Sequence, residues 1–143
     1  MKNNQGVPDD DTLCTDTAYN LATLLYKQYR SGGNEEVVGK EAQELFERAL
    51  RGQSKSSALG PHHPTTLTTT QDLAELLQHR HHYEAAQEMW ERLLQGQELS
   101  LGKLDVATLS TLHRMATMFN EQACIHINPQ LLYHTIPSYY HTL

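Results

Sequence analysis

The chain is short of the features most catalytic and nucleic-acid-binding proteins depend on. Its 143 residues include two cysteines, Cys14 and Cys124, far apart and without the second pair that a zinc-ligand spacing needs. Both are expected as free thiols. Basic charge is scarce: 11 Lys and Arg stand against 17 Asp and Glu, a formal net charge of −6. Such a field repels a phosphate backbone. The scattered Lys27, Arg30 and Lys40 and the pair Arg48 and Arg51 read as solvated helix faces, so no nucleic-acid partner is expected. No apolar run reaches membrane-spanning length, and Met1 to Asp11 is polar and acidic where a secretory signal needs an apolar stretch. The expectation is no membrane partner and a cytoplasmic setting.

Chemistry-bearing motifs are missing as well. There is no Gly-rich phosphate loop, no nucleophile elbow and no Cys-His-Asp order. Nine histidines are the one resource for a metal, above all His79, His81 and His82 with His62 and His63. Those five fall in expected loops, no His-Glu-x-x-His occurs, and no carboxylate has the spacing to complete a ligand set. They read as solvated loop histidines. The chain is expected to be no enzyme, with no catalytic residue, metal or cofactor.

What is present is helical. Hydrophobic residues make up 38% of the chain, Leu and Ala supply much of that share, and β-branched residues cluster in few places. The chain also repeats itself. Leu59-Gly60-Pro61-His62-His63-Pro64-Thr65-Thr66-Leu67 aligns with Leu101-Gly102-Lys103-Leu104-Asp105-Val106-Ala107-Thr108-Leu109, an offset of 42 residues. The alignment continues from Leu73-Ala74 to Met115-Ala116 and from Leu76-Leu77 to Met118-Phe119. An earlier copy supplies Leu21-Ala22 and Leu24-Leu25 at an offset of 52, and Glu44 to Leu50 matches Glu88 to Leu94 at 44. Eight extra residues therefore separate the halves of the first copy, and Ser31-Gly32-Gly33-Asn34 marks them as a loop. A fixed period of this size signals stacked repeats.

Each copy divides into two helices. Leu67, Thr70, Leu73, Ala74 and Leu77 form one stripe at steps of three and four, the A helix, started by Pro64 with a hydroxyl from Thr65 or Thr66 as its cap. Tyr83, Ala86, Met89, Trp90, Leu93 and Leu94 form the second, the B helix, which extends toward Leu99 with Gly96 as a weak point. Trp90, Met115 and Met118 lie in these stripes and are expected in the core. Ala74 and Ala86 are expected where paired helices approach most closely.

Leu73-Ala74, Leu77, Tyr83, Ala86, Trp90 and Leu94 stand in the order and spacing of the tetratricopeptide repeat. With the Leu59 to Leu67 linker and the long period, the chain resembles the kinesin light chain-like subclass over residues 11 to 122. The resemblance implies an all-α fold of antiparallel helix pairs stacked as a short right-handed superhelix. It implies about two and a half copies, 11–58, 59–100 and 101–122, between a disordered segment 1–10 and an irregular tail or cap 123–143. Three departures stand out. His81 replaces a glycine usual between the helices, Leu93 replaces an alanine that Ala49 keeps in the first copy, and Asn128-Pro129 falls inside the third B helix.

The resemblance also implies a function, a scaffold that binds a protein or peptide in a concave groove lined by A helices. Its groove positions are Tyr19, Asn20, Thr23, Tyr26 and Lys27 in the first copy, Gln71, Asp72, Glu75 and Gln78 in the second, and His113, Arg114, Thr117 and Asn120 in the third. Taken singly, each reads more readily as part of a solvated helix face, only their collective placement argues for a groove, and their mixed charges select neither acidic nor basic peptides. The competing reading is a structural or self-associating piece of a larger repeat-containing sensor or adaptor, joined through its exposed repeat end.

Overall fold

A computed structural model describes residues 12–127, and these form five α-helices in chain order. They are α1 (Thr12–Arg30), α2 (Glu35–Lys55), α3 (Pro64–His79), α4 (Tyr83–Ser100) and α5 (Val106–Ile127). α1 packs on α2 and α3 on α4 as helix pairs, α2 packs on α3, and α4 packs on α5, so each helix meets its chain neighbours. The architecture is all-α, antiparallel pairs stacked as a short superhelix. The expected N-terminal disordered segment lies outside the described residues.

Local chemistry sets the helix ends. Asn34 starts α2, its Oδ1 accepting the amides of Glu36 at 3.1 Å and Val37 at 3.3 Å. Pro64 occupies the first turn of α3 as expected, but the cap is not a threonine hydroxyl: His63 Nδ1 accepts the Thr65 amide at 3.2 Å. Asp105, 42 residues later, does the same for the Ala107 amide at 2.8 Å in front of α5. Thr66 instead reaches back to the Gly60 carbonyl at 2.7 Å, and Thr108 to the Gly102 carbonyl at 2.8 Å. Gly60 and Gly102 both sit at positive φ, 78° and 95°, where an L side chain is strained. The linker is thus a built turn, tied down identically in two copies.

Two expectations are corrected. Residues 123–127, expected in an irregular tail, continue α5, because the chain meets no helix breaker until Asn128-Pro129. The remainder of that tail lies outside the described residues. The eight extra residues of the first copy are also not all loop. α1 runs to Arg30, three residues past Lys27, the equivalent of the α3 terminus His79; α2 starts at Glu35, four before Gly39, the equivalent of Tyr83. Only the turn Ser31–Asn34 remains, one residue longer than its counterpart.

The core runs along the stack through Ala22, Phe46, Leu73, Leu76, Trp90 and Met118, all buried, with Met115 packed at its edge. Ala74 and Ala86 are fully buried. Equivalent positions show which neighbour covers what. Leu76 and Met118 are buried against the preceding helix pair, while Leu24 in α1 is 63% exposed. Leu77 is 3% exposed beneath α4, whereas Phe119 in α5 is 42% exposed. Gly96, which reads from sequence as a weakness, is a packing site: a Cβ there would lie 2.5 Å from Leu67 Cδ2. Gly52, 44 residues earlier, stands likewise 2.5 Å from Thr15 Oγ1. The absent side chain lets each B helix lie against the start of its own A helix.

Candidate partner-binding surface

The A helices α1, α3 and α5 stand side by side, and the stripe opposite the core carries the expected groove residues. Much of it is spent on tying the helices together. Tyr19 donates to Asp72 Oδ2 at 2.8 Å, joining α1 to α3. Gln71 Nε2 donates to Glu75 Oε1 at 3.0 Å, and Glu75 in turn accepts from Arg114 in α5. Gln78 Nε2 donates to Glu121 Oε2 at 2.8 Å, a second α3 to α5 link. The Arg114 guanidinium also lies 6.0 Å from the centroid of the buried Trp90 ring, so its position is held from two sides.

Tyr26 does not belong on an open face. It is buried, edge-on to Phe46 at 6.4 Å and stacked with Tyr29 at 6.5 Å, and its hydroxyl shares a 2.9 Å hydrogen bond with His79 Nδ1. A side chain of that size fills the gap between α1 and α3 where the equivalent Gln78 and Asn120 leave room. Thr23 is half-buried and returns its hydroxyl to the Tyr19 carbonyl at 3.0 Å, and Thr117 does the same to the His113 carbonyl at 3.0 Å. Asn20, Lys27, His113, Thr117 and Asn120 are exposed.

His79 and Glu121 take part in this face although sequence reasoning did not select them. Both were findable: they are the repeat equivalents of Lys27, at offsets of 52 and a further 42. His79, expected in a loop, is the last residue of α3. Tyr29 adds a hydrogen bond from its hydroxyl to the His79 carbonyl at 3.1 Å.

The electrostatics of the α1–α3 junction follow from burial. Asp72 is held above the usual carboxylate range chiefly by desolvation; the Tyr19 hydrogen bond opposes that shift and the nearby Glu75 charge adds to it. Tyr19 is pushed up by burial first and then by its bond to Asp72. Tyr26 is pushed up strongly, mainly by burial. Tyr19 and Asp72 are a hydrogen-bonded pair across the α1–α3 junction, and Tyr26 is bonded to His79 within it.

Elsewhere the surface offers two open grooves. One of about 330 Å³ lies between α2, α3 and α4, with Leu50, Leu73, Leu77 and Met89 as floor and Glu47, Arg51, Glu88 and Arg92 at the rim. The other, about 670 Å³, lies beside the α3–α4 turn and includes His81, His82, Tyr83 and His126. Among the described residues, no three His, Cys, Asp or Glu side chains converge as a metal site, and no helix is long and apolar enough to cross a membrane. Cys14 and Cys124 are free thiols, and Arg48 Nη2 donates to Cys14 Sγ at 2.8 Å.

Residues 38–96 match the family model described as tetratricopeptide repeat. The matched segment runs from the start of α2 nearly to the end of α4, spanning the junction between the two helix pairs. No curated protein matches the chain. Tetratricopeptide repeats generally mediate protein–protein interactions, and the helix stack here is of that type.

Proposed function

We propose that this protein is a non-enzymatic interaction scaffold that receives an extended peptide or a segment of a partner protein along the A-helix face. One observation carries the reading: the cross-helix bonds of Tyr19, Asp72, Glu75, Gln78 and Arg114 fix three A helices in register, leaving Asn20, Lys27, His113, Thr117 and Asn120 exposed along them. Amides and hydroxyls held on a rigid frame can pair with a peptide backbone at little ordering cost. The Leu59 to Leu67 linker, with its repeated threonine-to-carbonyl ties, supports the kinesin light chain-like subclass as the nearest analogy. The proposed setting is the cytosol, where two free thiols persist.

The test is selection of peptides from a displayed random library against the full chain, followed by calorimetric titration of the best binder. Asn20→Ala and Asn120→Ala, which leave the cross-helix bonds intact, should each weaken binding about tenfold if they pair with the peptide backbone. Unchanged affinity in both, with loss on Glu88→Lys at the opposite groove, would move the binding site off the A-helix face.

A second reading has its own observation. Leu21 and Leu24 of α1 are exposed although their equivalents Leu73 and Leu76 are buried by a preceding B helix. That face fits another repeat or a second copy, which sedimentation over a range of concentrations tests directly.

A further inference from the structure

Two buried glutamines hold equivalent places toward the ends of the B helices. Gln53 in α2 and Gln97 in α4 stand 44 residues apart, the offset that relates these helices. Each lends its backbone carbonyl to the linker that follows. Gln53 accepts the Ser56 and Gly60 amides at 3.3 and 3.2 Å, and Gln97 accepts the Leu101 and Gly102 amides at 2.8 and 3.2 Å. Their side chains fare differently. Gln97 Oε1 accepts the hydroxyl of Thr111, on the A helix that comes next, at 2.6 Å. The counterpart of Thr111 at an offset of 42 is Thr69, fully buried on α3. Yet neither Oε1 nor Nε2 of Gln53 has a hydrogen-bond partner among the described residues, and both atoms are buried.

Thr69 is within the same neighbourhood. The Gly60 amide donates to the Gln53 carbonyl and the Thr66 hydroxyl donates to the Gly60 carbonyl at 2.7 Å, which sets Gln53 beside the first turn of α3. Thr69 follows Thr66 by three residues, on the same side of the helix. Its hydroxyl is spent on the Thr65 carbonyl at 3.2 Å, a long bond beside the 2.8 Å that Thr70 makes to Thr66 in the same way. The linker explains the difference between the junctions: from glutamine to glycine it is two residues longer after Gln53 than after Gln97, so it holds α3 less strictly in register with α2. A buried amide with neither atom paired is costly, which brings a conformation that pairs it close in free energy.

We propose that Gln53 and Thr69 form a latch between α2 and α3 that opens and closes while the helices stay packed. Open, the Thr69 hydroxyl rests on Thr65; closed, it donates to Gln53 Oε1 as Thr111 does to Gln97. The Gln97–Thr111 latch stays shut. The switch tunes how firmly the second helix pair is held on the first.

A double-mutant cycle on the full chain, read by urea unfolding, tests this. Gln53→Met and Thr69→Val should couple by about threefold in the unfolding equilibrium constant, because their bond is made part of the time. Gln97→Met and Thr111→Val should couple by about tenfold. No coupling between Gln53 and Thr69 overturns the proposal, and so does coupling as strong as at Gln97 and Thr111, which makes the bond permanent. A crystal structure at atomic resolution is the second readout and decides alone if Thr69→Val does not fold. Gln53 or Thr69 should occupy two conformers and Gln97 and Thr111 one each; single conformers at all four positions overturn the latch.

Discussion

Adding a single methyl at Gly96 tests whether the glycine is a structural requirement or a flaw in α4. Within a helix, Gly→Ala is worth about 1 kcal/mol in favour of folding. Here the new Cβ would stand 2.5 Å from Leu67 Cδ2, with Leu67 Cδ1 at 3.5 Å and His62 Nδ1 at 3.4 Å. Carbon atoms prefer about 3.5–4.0 Å, so one contact is short by about an ångström. Leu67 is buried, so its methyl cannot swing into solvent, and overpacking of this kind costs about 1–3 kcal/mol. Gly96→Ala should therefore lose about 1 kcal/mol net. Leu67→Ala removes the obstructing methyls and costs about 2–3 kcal/mol alone. On that background Gly96→Ala should become stabilising by about 1 kcal/mol, a coupling of about 2 kcal/mol. Urea titration followed by Trp90, the single tryptophan and fully buried on α4, gives each corner of the cycle. Gly96→Ala more stable than wild type, or an equal effect on both backgrounds, would refute the close-approach account.

The remaining expectations concern the A-helix face and one turn. Because burial raises Asp72, the folded chain holds that proton more tightly than the unfolded one, so its contribution to stability is full in acid and is lost as pH rises through the raised value. Asp72→Asn still accepts the Tyr19 hydroxyl, so its melting temperature should equal wild type in acid and exceed it near neutral pH; a constant difference across pH would contradict this. Arg114→Ala removes a half-exposed ion pair to Glu75 and the contact with Trp90, and a melt should register a loss of no more than about 1 kcal/mol. His81 is the one non-glycine residue at positive φ among the described residues, at 59°, so His81→Gly should raise stability by up to about 1 kcal/mol in urea titration, partly offset by the freer unfolded chain.

The helix pattern was legible because apolar positions repeat at fixed offsets: Leu73 and Leu76 predicted the core roles of Met115 and Met118, whereas Phe119, the counterpart of the buried Leu77, is 42% exposed. Trp90 was readable as core for the same reason. What escaped was set by geometry between helices, which periodicity does not encode. Gly96 looks like a helix defect until Leu67 is seen against it. Tyr26 sits at a groove position, yet the gap between α1 and α3 is wide enough to draw a tyrosine in and bond it to His79. His63 is not a common capping residue, but its register with Asp105 shows that the position caps. On the binding face, the residue types were legible and their mutual hydrogen bonds were not, so sequence overstates how many polar groups are left to meet a partner.

The burial gradient along equivalent positions sets an order of events when the chain opens. Among the described residues, α3 is the one A helix with its apolar side closed by both α2 and α4, while no described helix precedes α1 and α5 exposes Phe119 where α3 hides Leu77. In a stack stabilised by nearest neighbours, loss begins at the least-covered members and moves inward. The amides of Leu73 to Leu77 therefore form the slowest-exchanging segment, and α5 peels away without dismantling the α2–α3 junction. A groove whose third wall can detach while the first two hold is adjustable in length, so the number of partner residues it grips depends on how firmly α5 is kept in place.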